Sequence, residues 1–347
     1  MDAATGRELR IAVVGATGAV GEQIVELIDA RALPCAELAL FATERGATQT
    51  LEALGEALIV AEFHDAAELS RFDVAFLAVA PSWAAEIIRA RPGPLLVDLS
   101  AAVRAPAEVP SIPLVAPGFT PAQRIAEIAA SDRVVAIPHP AAHALATIVN
   151  AAGAQNGIVC ATVMLGASSA GRHGVEDVVR EATELLSGTH NPEEGEIRRA
   201  FNAYPVDAAS GPPAGLAAGL APALAAQTAA LLGAAARLVL EVIHLPVLHG
   251  SAMTVLIPDP ADPDTLTARL RAAPGLLLVA GEEGEEGNEE GSAGVIDAVG
   301  HEAILVTLGV QPAGASVWCA FDSARLAALD AVWVAEKFSA VAAPGAA

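Results

Sequence analysis

Positive charge is what this sequence has least of. It carries 19 basic residues against 41 acidic ones, a formal net charge of −22 at pH 7, and Lys337 is its single lysine. That balance excludes nucleic acid as a partner, because a polyanion gains nothing from a surface that cannot neutralise phosphate. The arginine-only basicity, together with abundant alanine, reads as coding bias rather than as a functional signal. Cysteine is equally scarce: Cys35, Cys160 and Cys319 form no CxxC pair, which points to a reducing compartment. A long apolar run is also missing. Hydrophobic residues make up 54% of the chain, yet Pro, Gly, Asp or Arg interrupts each stretch before the ~20 residues a membrane span requires. The Ala/Leu/Gly run over 215–236 comes nearest, but it contains Pro222 and reads as a buried or interface helix. The opening MDAATGRELR has an acid at its second position and no apolar centre before Ile11, so no signal peptide is expected. A cytoplasmic protein with no membrane contact is the expectation.

At 347 residues there is length for two domains, each with its own core. In the first third, short β-branched runs (ELRIAVVG, ELALFAT, DVAFLAV, PLLVDLS) alternate with helical patterns such as AVGEQIVELIDARAL. That alternation predicts a parallel α/β sheet of the Rossmann-like, dinucleotide-binding kind. Strands apolar throughout are buried on both faces, as parallel strands are. Beyond Arg133, RVVAIP leads into a helix near Ala141, and then come the strands GIVCATVMLGAS, ARLVLEVIHLPV, SAMTVLIP, AGVIDAV, HEAILVTLGV and ASVWCAFD. This half predicts an α+β domain with a helix-backed mixed sheet. The expected division is a nucleotide domain over 1–135, a second domain over 136–320, and a C-terminal helix over 321–347 that returns to the first domain. The acidic GEEGEEGNEEG segment, 281–291, reads as a solvated loop.

Between the first strand and first helix lies Gly15-Ala-Thr17-Gly18-Ala19-Val20-Gly21. A phosphate cradle belongs there. Glycine lets the backbone turn and approach a pyrophosphate, and the helix N-terminus behind it supplies N–H groups at the positive end of a dipole. The spacing is GxxGxxG, with Thr17 where the dinucleotide fingerprint has its middle glycine. The segment after the second strand, Thr43-Glu44-Arg45, bears on the choice of cofactor. Thr43 and Arg45 favour the 2′-phosphate of NADP, while Glu44 keeps NAD open.

The succession GATGAVG, LFATERG, VDLSAAVR and VPSIPLVAPGFTP, continued in SSAGRHGVEDV, RRAFNAYP and HLPVLHG, resembles the aspartate-semialdehyde dehydrogenase family over nearly the whole chain. The closing stretch with GVIDAVG and VWCAFD is more similar to the family's Usg-type paralogues. The resemblance implies a nicotinamide cofactor, contacts to it from Ser169 and Gly171, and a homodimer formed through the second domain, for which the GLAAGLAPALAAQTAALLG segment offers apolar surface. It also implies a reaction in which a cysteine thiolate attacks the aldehyde, hydride passes to NADP, and phosphate cleaves the acyl-enzyme. That cysteine belongs to an Asn-Pro-x-Cys turn, and here the turn is His139-Pro140-Ala141-Ala142-His143. Ala142 therefore stands in the nucleophile's place. His244 stands for the family's substrate-binding arginine, and Ser251 for its general-base histidine. The Glu and Lys that follow the FNxIP segment have no counterpart in GPPAGLAAGLAPALAAQ. Arg104 does survive, in a motif suited to holding a phosphate or carboxylate. These correspondences predict a pseudoenzyme, with an oxidoreductase using direct hydride transfer and a histidine base as the alternative.

Two further readings complete the expectations. Cys160 and Cys319 lie mid-strand and read as core, and Cys35 reads as part of the loop before the second strand. The resemblance sets His139, His143, His173, His244 and His249 around one cleft. They read as unrelated histidines rather than a metal site, because Pro140 interrupts the helix between the first pair and no HExxH-like order exists.

Overall fold

The computed structural model describes residues 6–44, 46–100, 112–131, 133–189, 197–206, 219–233, 236–258, 260–279 and 293–341. It divides into two compact units, Met1–His139 with Ala327–Ala347, and Pro140–Leu326.

In the first unit the elements run β1 (Leu9–Val14), α1 (Ala19–Ala30), β2 (Cys35–Ala42), β3 (Thr50–Ala53), β4 (Glu56–Ile59), β5 (Ala61–Glu62), β6 (Val74–Leu77), α2 (Pro81–Ala90), β7 (Leu95–Asp98), α3 (Ala122–Ala130) and β8 (Val134–Ala136). Six of these strands form one sheet in the order β5-β2-β1-β6-β7-β8, and every described pairing in it is parallel. Both faces of β1 are covered, as its unbroken apolar run predicts. Leu9, Ile11 and Val13 pack with Ile24, Leu27 and Ile28 of α1, while Ala12 and Val14 pack with Phe41, Phe72 and the α2 residues Ala84 and Ile87. The chain leaves β1 toward β2 on one side and returns to β6 on the other. The carboxyl ends of β1 and β6 thus form the switch point where doubly wound sheets hold ligands. Phe76, on β6, is fully buried in this core. Phe76→Ala should cost about 3–5 kcal/mol in urea unfolding, and a loss under about 1 kcal/mol would contradict the packing described.

The second unit contains α4 (Pro140–Ala152), β9 (Ile158–Leu165), α5 (Gly171–Ser187), β10 (Tyr204–Pro205), α6 (Leu220–Leu232), β11 (Arg237–His244), β12 (Ser251–Ile257), α7 (Pro263–Ala272), β13 (Leu276–Leu278), β14 (Ile304–Gln311) and β15 (Gly314–Phe321). Seven strands make a mixed sheet in the order β10-β11-β9-β12-β15-β14-β13. Alternation along β9 decides which face is covered: Val159, Ala161, Val163 and Leu165 lie in a core shared with α4, α6 and α7. The opposite face is uncovered enough to leave Ile158 43%, Val239 61% and Leu256 48% exposed. A last helix, α8 (Ser323–Val341), starts in the second unit; from Ala327 it belongs to the first. There Ala328, Ala331, Val332, Val334 and Ala335 join the core of β1 and α1, and Ser339 Oγ donates to the Arg7 carbonyl at 2.7 Å.

Four sequence expectations need correction. AGVIDAV is a chain of turns, not a strand: the Ala298 amide donates to the Gly294 carbonyl, Asp297 accepts from the Gly294 amide, and Ile296 is 75% exposed. Cys35 opens β2 rather than preceding it, and Cys160 lies half-buried on the uncovered sheet face rather than in the core. Pro140 does not interrupt a helix; it starts α4, where its missing N–H costs nothing. The helix expected within 215–236 is α6, which turns Leu220, Leu224 and Thr228 inward.

Candidate functional site

In the first unit the site begins where β1 ends. Gly15 has φ +91, and a Cβ there would strike the Ala78 carbonyl that follows β6. Gly21 is closed in the same way, since its Cβ would meet the Gly15 carbonyl and Ala16 Cα. Both glycines are therefore required by close backbone approach. Gly15 and Ala16 spend their amides on the Phe41 carbonyl at 2.8 and 2.9 Å, which ties the loop to the end of β2. Gly18 caps α1 in extended geometry and no side chain caps that helix. The amides of Ala19, Val20 and Gly21 are thus left without intrahelical acceptors at the positive end of a 12-residue helix. A pyrophosphate fits this cradle: it supplies the acceptors that the uncapped amides lack. Thr17 Oγ1 sits against Gly46, whose amide donates to the Thr43 carbonyl at 2.8 Å. The structure so gathers Gly15, Thr17, Gly18, Ala19, Val20, Gly21 and Thr43 in one place. Thr43 and Glu44 are exposed, whereas Arg45 and Arg104 lie outside the described residues.

In the second unit Ala142 sits in the first turn of α4, fully buried, and its carbonyl accepts from Thr228 Oγ1 at 3.4 Å. The sheet register sets Tyr204, His244, Leu165, Ser251 and Phe321 side by side in one row across β10, β11, β9, β12 and β15. Leu165, Phe321 and Ala142 share a core, so that row faces the helices. Ser251 has no exposure; Ser323 Oγ donates to its hydroxyl at 2.8 Å, and Ser169 Oγ lies 3.3 Å from it. Ser169 and Gly171, the latter at φ +75, lead into α5. Ala167 and Ser168 are fastened by their amides to the carbonyls of Val247 and Leu248.

The ionisable groups follow from burial. Desolvation holds His244 down at about 4, with the nearby Arg199 charge acting in the same direction. Desolvation also holds His139 at about 4. His143 is buried, His249 is exposed, and the 83%-exposed His173 side chain pairs with Glu176 at 3.2 Å. Among the described residues no group of three or more His, Cys, Asp or Glu side chains is arranged to hold a metal ion. All three cysteines are free thiols, and burial pushes Cys35 up to about 11 and Cys319 to about 12, the reverse of nucleophile activation. For His139 the folded chain binds its proton less readily than the unfolded one. Its stabilising contribution is present above pH 6.5 and is lost as pH falls toward 4. The unfolding free energy should drop between those values, and His139→Gln should flatten the drop by on the order of 3 kcal/mol at most, read by urea unfolding at several pH values.

Sequence reasoning missed Glu181, Arg199 and Tyr204. The signal was available for the first of them, because α5 buries Gly174, Val178 and Glu181, which puts an acid in the apolar stripe.

A family model, "Semialdehyde dehydrogenase, NAD binding domain", matches residues 10–127. The chain is 31% identical to an aspartate-semialdehyde dehydrogenase of Synechocystis over 94% of its own length and 96% of the relative's. It is 30% identical to a USG-1 protein homolog of Azotobacter vinelandii, over 94% and 96% of the two chains. Among solved structures, a probable aspartate-semialdehyde dehydrogenase from Pseudomonas aeruginosa superposes with a TM-score of 0.77 at 28% identity, covering 95% of this chain and 98% of that one. Loop, topology and relatives agree along the whole length: the chain belongs to the aspartate-semialdehyde dehydrogenase family.

Proposed function

We propose that this chain is a catalytically silent member of its family, one that binds NADP but does not carry out phosphorylating aldehyde oxidation. One observation carries the reading: Ala142, the residue that the resemblance matches to the family's nucleophile, is a fully buried methyl. The supporting observations run the same way. His244 is a neutral imidazole where a carboxylate clamp must be cationic, and Ser251 is a hydroxyl engaged with other hydroxyls where a base is needed. The cofactor is held by Gly15, Thr17, Gly18, Ala19, Val20 and Gly21 on the pyrophosphate side, with Thr43 and Arg45 toward the 2′-phosphate. Glu44 makes NAD the competitor to test against. Arg104 holds a phosphate or carboxylate. When bound, the nicotinamide supplies hydride-transfer capacity; the chain's own groups bind and orient it. The partner is a second copy of the chain, docked through the second unit, where Ile158, Val239 and Leu256 lie exposed on one sheet face. The protein is placed in the cytoplasm.

Titrating the chain with NADPH and following nicotinamide fluorescence tests the cofactor claim. Saturable binding is expected, tighter than for NADH. A flat titration would overturn it. A second reading has one observation in its favour, the unpartnered Nε2 of a neutral buried His244: that nitrogen would take the hydroxyl proton of an alcohol, and a bound nicotinamide would supply the hydride acceptor. NADP reduction by an alcohol panel, abolished in His244→Gln, would establish it.

A further inference from the structure

Around His244 the second unit buries more polar atoms than it satisfies. Glu181 is 6% exposed; its Oε2 accepts from the amides of Arg199 and Ala200 at 2.8 and 2.7 Å, while Oε1 has no partner. Tyr204 and His244 are 8% and 3% exposed; among the described residues His244 Nε2 has no partner, and the Tyr204 hydroxyl lies near the Arg199 guanidinium without completing a hydrogen bond. These groups are neighbours. Tyr204 and His244 are register partners across β10 and β11, with ring centroids 4.9 Å apart and planes tilted by 32°. Both rings feel the charges of Arg199 and Glu181. Arg199 is itself committed to Asp177 at 2.7 Å, which Arg180 shares at 3.1 Å. A buried polar atom left unsatisfied costs about 1–3 kcal/mol, so three in one neighbourhood mark a place that an occupant completes.

The chemistry of the cluster selects the occupant. Two carboxylates, Asp177 and Glu181, face two guanidinium groups, Arg180 and Arg199, so no net positive charge remains to offset a buried anion. The phenol and the neutral imidazole can each donate one hydrogen bond and accept one, and Glu181 Oε1 only accepts. A carboxylate arriving here would meet the Glu181 oxygen as a like charge. A hydroxyl or a primary amide would satisfy all three atoms.

We propose that the cluster of Glu181, Tyr204 and His244 is a binding site for a neutral hydrogen-bonding group, an alcohol or primary amide, and rejects carboxylates. The inference rests on the proposed reading that acyl transfer is lost, and it makes His244 and Tyr204 the residues that set ligand class. Succinamide and succinate share a four-carbon skeleton and differ in charge, so isothermal titration of the full chain with each reads the claim directly. Succinamide should bind at least about tenfold more tightly than succinate. Tyr204→Phe should weaken succinamide about tenfold, the loss of one hydrogen bond, while NADPH affinity holds; His244→Arg should reverse the preference. If His244→Arg does not fold, Tyr204→Phe still decides. Succinate binding as well as the diamide, neither compound binding at millimolar concentration, or an unaffected Tyr204→Phe would each overturn the proposal. Absent NADPH binding would instead remove the cofactor reading and leave the amide comparison intact.

Discussion

Offered aspartate semialdehyde, NADP and inorganic phosphate, this chain should reduce NADP on the order of 10⁶-fold more slowly than a thiol-bearing relative, the scale seen when a covalent catalyst loses its nucleophile. The physical reason is specific. Phosphate can cleave only an acyl group that something has first accepted, and at Ala142 there is no electron pair to accept it. Restoring the sulfur should not restore the rate. Ala142 has no exposure and packs with Leu145 and Leu165, so the added atom in Ala142→Cys must first displace neighbours, at about 1–3 kcal/mol. The start of α4 would lower the new thiol's pKa, yet the neutral His244 would still fail to hold a carboxylate, and Ser251 would still fail to take a proton. NADPH absorbance in wild type and Ala142→Cys checks both statements, with turnover by the single variant within about tenfold of a thiol-bearing relative as the opposing result.

The second large effect concerns Gly18, where stability and binding should move in opposite directions. Its φ of −82 suits any residue, and the nearest atom to an added Cβ, the Gly15 carbonyl oxygen at 3.3 Å, needs to give only slightly. Gly18→Asp places a capping carboxylate on a helix start that has none, worth a few tenths of a kcal/mol to about 1 kcal/mol. That same carboxylate occupies the amides meant for the pyrophosphate and repels it. NADPH affinity should fall by about 100-fold or more while the thermal midpoint holds or rises. Gly15→Ala offers the contrast: at φ +91, against the Ala78 carbonyl, it should destabilise by several kcal/mol and lose binding only because the loop is lost. Equal loss of midpoint in both variants would contradict the assignment of Gly18 to the ligand.

Legibility in the sequence tracked how strongly local chemistry constrains the backbone. The β1–loop–α1 unit was readable because Leu9 to Val14 is apolar throughout and because Gly15 and Gly21 occupy positions no side chain can. The mixed second sheet was readable from alternation, as in β9. The β3–β4 hairpin was not, since its turn uses Leu54 at φ +55 beside Gly55, and its strands are half exposed. AGVIDAV imitates a strand in its apolar content, but Gly294 and Asp297 close it into turns. The site divided along the same line. The resemblance alone singles out Ala142, His244 and Ser251, and the sheet register sets the last two in one row. The placement of Tyr204 beside His244 could not be read in the sequence, because it depends on β10 returning to the edge of β11, a contact that no local pattern encodes.

The central claim is that no thiol of this chain accepts an acyl group from an aldehyde. Intact-mass spectrometry after incubation with aspartate semialdehyde and NADP, with phosphate withheld so that any acyl-enzyme accumulates, reads it directly. The account predicts a mass identical to that of the untreated chain. An acyl adduct mapped to Cys35, Cys160 or Cys319 would contradict it.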